Sequence, residues 1–337
     1  MSSRMSISFG NEHANLRPPL GLVLAGIVAV LGLYSPAHAQ FPSRPVRMII
    51  PAVAGGPTDI VGRVVAQGLS TLWGQPVIVD NRPSAGGIVG TEAAVKSAPD
   101  GHTLLMSSAV PIVMSKSLIP GLPFDPLKDL APISQIASVP QILYVSPALP
   151  VRDAAELIAY VKQRPGQLNF SSVGPGTMPH LAGELFKRQA GLEMVHVPYK
   201  GAPAAGAAVM SGDVALYFDT PAALTHVRAG KLRALLVTAP RRLGGAPDVP
   251  TAQEAGLPGF SADSWYGLLA PAQTTRELRD RIHADLIKIL APGDTRSRIT
   301  NMGFEIVASS RGGFADTIAN ESARWSALIK SVGIRAD

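Results

Sequence analysis

Residues 46–60 read VRMIIPAVAGGPTDI. A short apolar run ends in two glycines, a proline and a Thr-Asp pair, which predicts a strand that turns sharply into a helix. Glycine lets a ligand approach the backbone, and the unpaired N–H groups at a helix N-terminus attract anions. The motif therefore fits either a plain capped turn or a pocket for a negatively charged group.

A second turn of the same kind occurs at residues 171–180, SSVGPGTMPH. It also follows a predicted strand and opens a helix, so the two turns could hold a small acid between them. The spacing approaches a dinucleotide fingerprint, but Pro179 occupies the third glycine position and Glu193 precedes the next strand. A nucleotide enzyme is therefore disfavoured.

The N-terminus has the pattern of a secretory signal peptide. Arg4 and Arg17 precede an apolar run from Leu20 to Leu33, and Ala37-His38-Ala39 fits the small-x-small cleavage rule. The run is shorter than the roughly 20 residues of a membrane-spanning helix. We predict a signal peptide at 1–39, cleaved after Ala39, and a periplasmic mature protein without disulfides, since the chain has no cysteine.

Composition narrows the classes of partner. The 337 residues carry a net charge of +6 without long basic runs, and only 5% of residues are aromatic. This argues against nucleic-acid binding and is compatible with small anionic ligands. The histidines show no metal-ligand spacing, and no G-x-S-x-G nucleophile motif is present. We expect no metal, no cofactor and no catalytic residue.

Strand, glycine turn and helix recur along the chain, which predicts an α/β fold with mixed sheets flanked by helices. The alternation weakens at residues 133–145 and 259–271, which are predicted as extended segments crossing between two domains. Domain 1 is then 40–141 plus 263–337, and domain 2 is 142–262. The natural hinges lie near Ile136–Ile142 and Ala262–Gly267.

Six stretches together resemble the substrate-binding proteins of tripartite tricarboxylate transporters, the Bug family. They are PAVAGGPTDIVGRVVAQGLS, VIVDNRPSAGGIVGTEAAVKSAPDGHTLLM, PFDPLKDLAPIS, VGPGTMPHLAGELF, HVPYKGAPAA and YFDTPAALTHVRAGKLRAL. The resemblance runs from about Phe41 to the C-terminus with its motifs in order. It implies a two-domain, periplasmic-binding-protein-like receptor of the type II, Venus flytrap kind, with a cleft between the domains. Its ligand would be a small carboxylate.

The resemblance also implies which residues contact the ligand. The carboxylate would be held by the two glycine loops, with Asp219 closing the cleft and two strand-end serines adding contacts. Carried onto this sequence, the expected ligand-binding residues are Gly55, Gly56, Thr58, Asp59, Ser107, Ser108, Ser171, Gly174, Thr177 and Asp219. Departures from the family pattern are Ser84, Ile88 and Met178-Pro179, which suggest a less polar pocket suited to an aromatic or aliphatic acid.

The predicted function is therefore that of a monomeric solute receptor. It would close around its ligand and deliver it, chemically unchanged, to the membrane components of a tripartite transporter. One alternative is an exported hydrolase or lyase that uses Asp59, His180 or Asp219 as acid or base. The other is a receptor that feeds a sensor kinase.

Overall fold

A computed structural model describes residues 41–335 and, ahead of them, only Ser6 and Gly10. The predicted signal peptide and its cleavage site after Ala39 therefore fall outside the described residues. All elements below belong to the unit that begins at Arg44.

The opening motif forms the centre of the first sheet. Its strand, β1 (Val46–Ile50), is parallel to β2 (Val77–Asn81) and β3 (Thr103–Ser108), as expected for strands joined through helices. Three antiparallel strands complete the described order β11-β4-β10-β3-β1-β2: β4 (Leu130–Val139), β10 (Ser264–Pro271) and β11 (Glu305–Ile306). Met48, Ile49 and Ile50 have no exposed surface, because helices cover both faces of this sheet.

The second sheet is built in the same mixed way. Its described order is β7-β6-β8-β5-β9, with β6 parallel to β7 and β8, and β5 antiparallel to β8 and β9. The strands are β5 (Ile142–Val145), β6 (Asn169–Ser172), β7 (Val195–Pro198), β8 (Leu216–Asp219) and β9 (Arg233–Val237).

Helices connect the strands. The longer ones are α1 (Pro57–Trp73), α2 (Ile88–Val95), α5 (Ala154–Lys162), α6 (Met178–Ala190), α7 (Ala202–Ser211), α9 (Arg276–Leu290), α10 (Asp294–Asn301) and α11 (Arg311–Val332). Single-turn helices are α3 (Ser115–Leu118), α4 (Pro126–Asp129) and α8 (Leu224–Arg228), and a π-helical turn spans Val110–Met114. None of the helices in the described part of the chain is long and apolar enough to span a bilayer.

The two segments predicted as crossings do change sheets. β4 ends at Val139 in the first sheet and β5 starts at Ile142 in the second, while β9 lies in the second sheet and β10 in the first. The α/β class with two mixed sheets agrees with the prediction, whereas the domain boundaries at 141 and 263 stay a prediction. Helix α10, strand β11 and the π-helical turn were not predicted. Their short segments carry too weak a periodicity to read from sequence.

Candidate functional site

The first glycine loop ends where α1 begins. Gly56 is the N-cap, Pro57 occupies the first turn, and Gly55 has φ 79°, a left-handed conformation that favours glycine. Thr58 is 6% exposed, and its side chain does not cap the helix. The Thr58 hydroxyl and the first N–H groups of the helix are therefore available at the loop.

Asp59 holds this loop together. Its Oδ2 accepts hydrogen bonds from the Gly55 N–H and the Arg63 Nε, both at 2.8 Å, and its Oδ1 accepts from the Asn81 amide at 2.9 Å. Burial by itself raises the pKa of this carboxyl, but the hydrogen bonds from Arg63, Gly55 and Asn81 outweigh it and hold the pKa below its usual value. The carboxylate is thus committed to its own loop and positions Gly55.

The second glycine loop has a comparable internal network. The Thr177 hydroxyl donates to the Gly174 carbonyl at 2.6 Å, and the Ser172 hydroxyl accepts from the Gly174 N–H at 3.1 Å. Gly174 and Gly176 have φ 130° and 70°, so the turn needs glycine at both positions. Thr177 is the N-cap of α6, whose N-terminus points its free N–H groups at the loop.

Two stacked imidazoles lie beneath the second loop. The rings of His180 and His196 are 3.7 Å apart at an angle of 9°. The Gly176 N–H donates to His180 Nδ1 at 3.1 Å, and His196 Nε2 pairs with the Ser172 hydroxyl at 2.7 Å. Burial lowers the pKa of His180 to about 3, with further lowering by His196 and Lys187, and burial and Lys187 lower the pKa of His196 to about 4. Both rings are therefore neutral at pH 7, and the His180 Nδ1 binds the backbone of its own turn.

Removing the acceptor on His180 should loosen the loop. We expect His180→Leu to lower the free energy of unfolding by about 1–3 kcal/mol, because the buried Gly176 N–H loses its partner. His180→Asn, whose Oδ1 stands close to the position of Nδ1, should lose less. Thermal unfolding of the two variants between pH 7 and pH 4 checks this.

The pH profile gives an independent readout for the same variants. Because the folded-state pKa of His180 is depressed, the unfolded chain binds more protons, and stability is lost as pH falls below about 6.5 towards the folded value. Both variants should remove this part of the acid sensitivity. Equal stability of the leucine and asparagine variants would contradict the assigned role of Nδ1.

The two loops meet at a cavity of about 410 Å³. It is lined by the start of α1, the turn before α2, the end of β3 with the following π-helical turn, the second glycine loop and the start of β10. The lining residues include Pro57, Thr58, Gly86, Gly87, Ser108, Ala109, Pro111, Gly176, Thr177, Met178, Ser264 and Tyr266. None of these described residues carries a charged side chain, so any anion here would be bound by N–H groups and hydroxyls.

The structure brings only some of the predicted residues to this cavity. Thr58, Ser108 and Thr177 line it, while Gly55, Gly56, Asp59 and Gly174 shape the loops behind it. Ser107 and Ser171 have no exposed surface, and the Ser171 hydroxyl donates to the Ala205 carbonyl at 3.3 Å. These two serines lie in the core because successive residues of β3 and of β6 are buried on both faces of their sheets. Direct ligand contact by any of the ten residues stays a prediction.

Asp219 is the last residue of the buried strand β8. Its Oδ1 accepts from the Thr220 N–H at 2.7 Å, and burial raises the pKa of its carboxyl. It does not line the 410 Å³ cavity, although the next residue, Thr220, lines a neighbouring one. This hydrogen bond ties the carboxyl to the backbone that follows β8.

Several residues that line the 410 Å³ cavity were not predicted from the sequence. Gly86 and Gly87 occur in the NRPSAGG motif, whose two glycines adopt φ 60° and 71°, and a doubled glycine before a helix could have identified them. Tyr266 gave no sequence signal. Of the departures from the family pattern, Met178 and Pro179 line the cavity, whereas Ser84 accepts a hydrogen bond from the Val89 N–H at 3.0 Å. No group of three or more metal-ligating side chains occurs among residues 41–335.

Comparison with known proteins agrees with this architecture. Residues 61–334 match the family model of the tripartite tricarboxylate transporter family receptor. Protein BugT of Bordetella pertussis is 36% identical over 318 residues, covering 93% of this chain and 98% of BugT.

Solved structures show the same two-domain periplasmic-binding-protein fold. Rpa4515 of R. palustris, solved with adipate, is 32% identical, with a TM-score of 0.74 over 88% of this chain and 99% of that one. MatC from Rhodopseudomonas palustris, with bound malate, is 31% identical, with a TM-score of 0.71 over 86% of this chain and 100% of MatC. The chain belongs to the tripartite tricarboxylate transporter family of solute-binding receptors.

Proposed function

We propose that this protein is a periplasmic receptor that binds a small carboxylate in the 410 Å³ cavity and delivers it unchanged to the membrane components of a tripartite transporter. The observation that carries the proposal is the convergence of two helix N-termini, at Pro57–Thr58 and Thr177–Met178, on a cavity without charged lining residues. Free N–H groups and the positive ends of two helix dipoles favour a carboxylate there.

The proposed mechanism is sequestration. On the side of the first sheet, Thr58 at the start of α1 and Ser108 at the end of β3 line the cavity, and Thr177 lines it from the second sheet's glycine loop. One ligand bound by all three would stabilise a closed arrangement of the two sheets. The adipate bound by Rpa4515 and the malate bound by MatC support small organic acids as the ligand class. Secretion with cleavage after Ala39 belongs to the same proposal.

Enzymatic acid–base chemistry has less support. The Asp59 carboxylate accepts three hydrogen bonds within its own loop, and His180 Nδ1 is occupied by the Gly176 N–H. Incubating adipate or malate with the protein should therefore return the acid unchanged, as a chromatographic assay of the recovered ligand would show.

Binding of acids against their methyl esters tests the anchor. We expect adipate or malate to bind with a dissociation constant on the order of micromolar or below, because several charge-assisted hydrogen bonds act on one carboxylate. The dimethyl esters should bind at least about 100-fold more weakly. Isothermal titration calorimetry measures both, and equal affinity of acid and ester would refute a carboxylate anchor.

The Thr58 hydroxyl offers a matched variant for the same titrations. Thr58→Val keeps the shape of the side chain but removes the hydroxyl, so the affinity for all acids should fall by about 10-fold. Thr71→Val, near the far end of the same helix and away from the cavity, is the control and should bind normally. Unaltered binding by Thr58→Val would remove Thr58 from the site.

A further inference from the structure

A second, larger chamber of about 730 Å³ adjoins the proposed anchor cavity. Pro57 and Tyr266 line both spaces, so these two residues form the boundary between them. On the far side of Tyr266, Val139 and Phe304 line the chamber from the side of the first sheet, and Leu224 and Leu243 line it from the side of the second sheet. A molecule anchored by the glycine loops could therefore extend past Tyr266 without leaving the cleft.

The walls of this second chamber are mainly apolar. The Tyr266 and Phe304 rings pack edge to face with centroids 5.3 Å apart, which gives one side an aromatic surface. The charged residues among its described lining are Arg228 and Glu305. The exposed Arg228 donates to the Gly245 carbonyl at 3.2 Å, and Glu305 lies 3.8 Å from Arg241. With one charge of each sign, the described lining of the chamber carries no net charge.

Tyr266 has the features of a ligand contact. Its side chain is 5% exposed, and it lines both cavities. Burial raises its pKa, so the hydroxyl stays protonated and can donate. Because Tyr266 lies between the two chambers, its hydroxyl is placed to donate a hydrogen bond to an oxygen of a ligand that occupies both.

We propose that the second chamber binds the apolar tail of the ligand, so that the preferred substrates are monocarboxylates with an aryl or long alkyl group. This inference rests on the proposed function, because the carboxylate must be held in the anchor cavity for its tail to reach past Tyr266. Removal of the tail from water supplies the additional affinity. Adipate, with a second carboxylate, and malate, which is too short, would use the chamber poorly.

Three probes separate the two chambers: propionate, 6-phenylhexanoate and adipate. We expect 6-phenylhexanoate to bind on the order of 100-fold more tightly than propionate, and more tightly than adipate, from the apolar area that its tail buries. Calorimetry at one ionic strength measures all three. If adipate binds as tightly as 6-phenylhexanoate, or propionate equals both, the inference is overturned while the carboxylate anchor stands. If none of the acids binds better than its ester, the proposed function itself fails.

Filling the chamber gives a second, structural test. Gly244 lines the chamber, its backbone is not left-handed, and a Cβ at this position would meet no atom within 4 Å, so Gly244→Trp should be accepted. It should weaken 6-phenylhexanoate at least 10-fold and leave propionate unchanged. Gly312→Trp, equally unhindered but outside the cleft, is the matched control. Unchanged 6-phenylhexanoate binding by Gly244→Trp would contradict the placement of the tail.

A charge placed in the chamber should invert the preference. Met302 lines it and is 42% exposed, so Met302→Lys introduces an ammonium group without burying it on folding. We expect this variant to favour adipate over 6-phenylhexanoate, reversing the order of the unmodified protein. An unchanged order of the two ligands would count against the second chamber as the tail site.

Discussion

Replacing Gly87 by alanine is expected to lower both stability and ligand affinity strongly. Gly87 has φ 71°, and a Cβ there would lie 2.7 Å from Pro111 Cγ and 3.0 Å from the Pro51 carbonyl oxygen. The left-handed conformation costs a non-glycine residue about 1–2 kcal/mol, and overpacking adds about 1–3 kcal/mol. Relief of the contact must move Pro111, which lines the anchor cavity. We therefore expect affinity for the bound acid to fall by at least about 10-fold.

Gly121 provides the control for backbone conformation alone. It has φ 75°, and a Cβ there would meet no atom within 4 Å. Gly121→Ala should therefore show only the left-handed penalty, about 1–2 kcal/mol, with normal binding. Chemical denaturation and calorimetry of the two variants separate strain from steric displacement. Normal ligand affinity in Gly87→Ala would show that the loop carrying Gly87 does not shape the site.

The local features of the fold could be predicted from sequence. The strand-turn-helix at residues 46–60, the second glycine loop and the N-cap Thr275, whose hydroxyl accepts from the Leu278 N–H at 3.3 Å, all depend on residues within a few positions of one another. Short-range stereochemistry decides such motifs, so composition and spacing are sufficient to locate them.

The side-chain partners could not be predicted in the same way. Asp59 was expected to meet the ligand, but Asn81 from the next strand joins Arg63 in binding its carboxylate. His196 lies 16 positions after His180, and only the parallel pairing of β6 with β7 brings the rings together. Tyr266 reaches the cleft because β10 returns to the first sheet from the second. Each of these contacts depends on tertiary structure, which local sequence patterns do not reveal.

The crossing segments also contain a polar network that sequence did not indicate. The Gln141 N–H donates to the Thr238 hydroxyl at 2.9 Å, and that hydroxyl donates to Asp263. Residues 141 and 263 are the positions at which the two crossings were expected. These hydrogen bonds link residues 141 and 263 through Thr238, while the hinge itself stays a prediction.

Arg324→Met is expected to lower the free energy of unfolding by about 1.5–3 kcal/mol at neutral pH, the range for hydrogen bonds to charged groups. The Arg324 guanidinium lies 3.6 Å from Glu321 Oε1 and donates to the Ser261 carbonyl at 2.7 Å. Glu321 also accepts from the buried Trp265 indole at 2.8 Å. Burial raises the pKa of both Asp263 and Glu321, and Arg324 counteracts that rise. Without the guanidinium, two partly buried carboxylates would lack their cation.

The sign of the pH dependence distinguishes this cause from lost packing. A carboxyl whose folded-state pKa is raised stabilises the fold below its unfolded value, near about 4, and that contribution is lost as pH rises through the raised value. The loss of stability in Arg324→Met should therefore shrink as pH falls through this window.

Adding Glu321→Gln, which keeps an acceptor for Trp265 but removes a charge, should restore much of the lost stability at pH 7. Arg298→Met, which removes an exposed pair with Asp294 at 3.7 Å, should cost less than about 1 kcal/mol. A deficit independent of pH and unaffected by Glu321→Gln would show that Arg324 stabilises the crossing through its aliphatic packing instead.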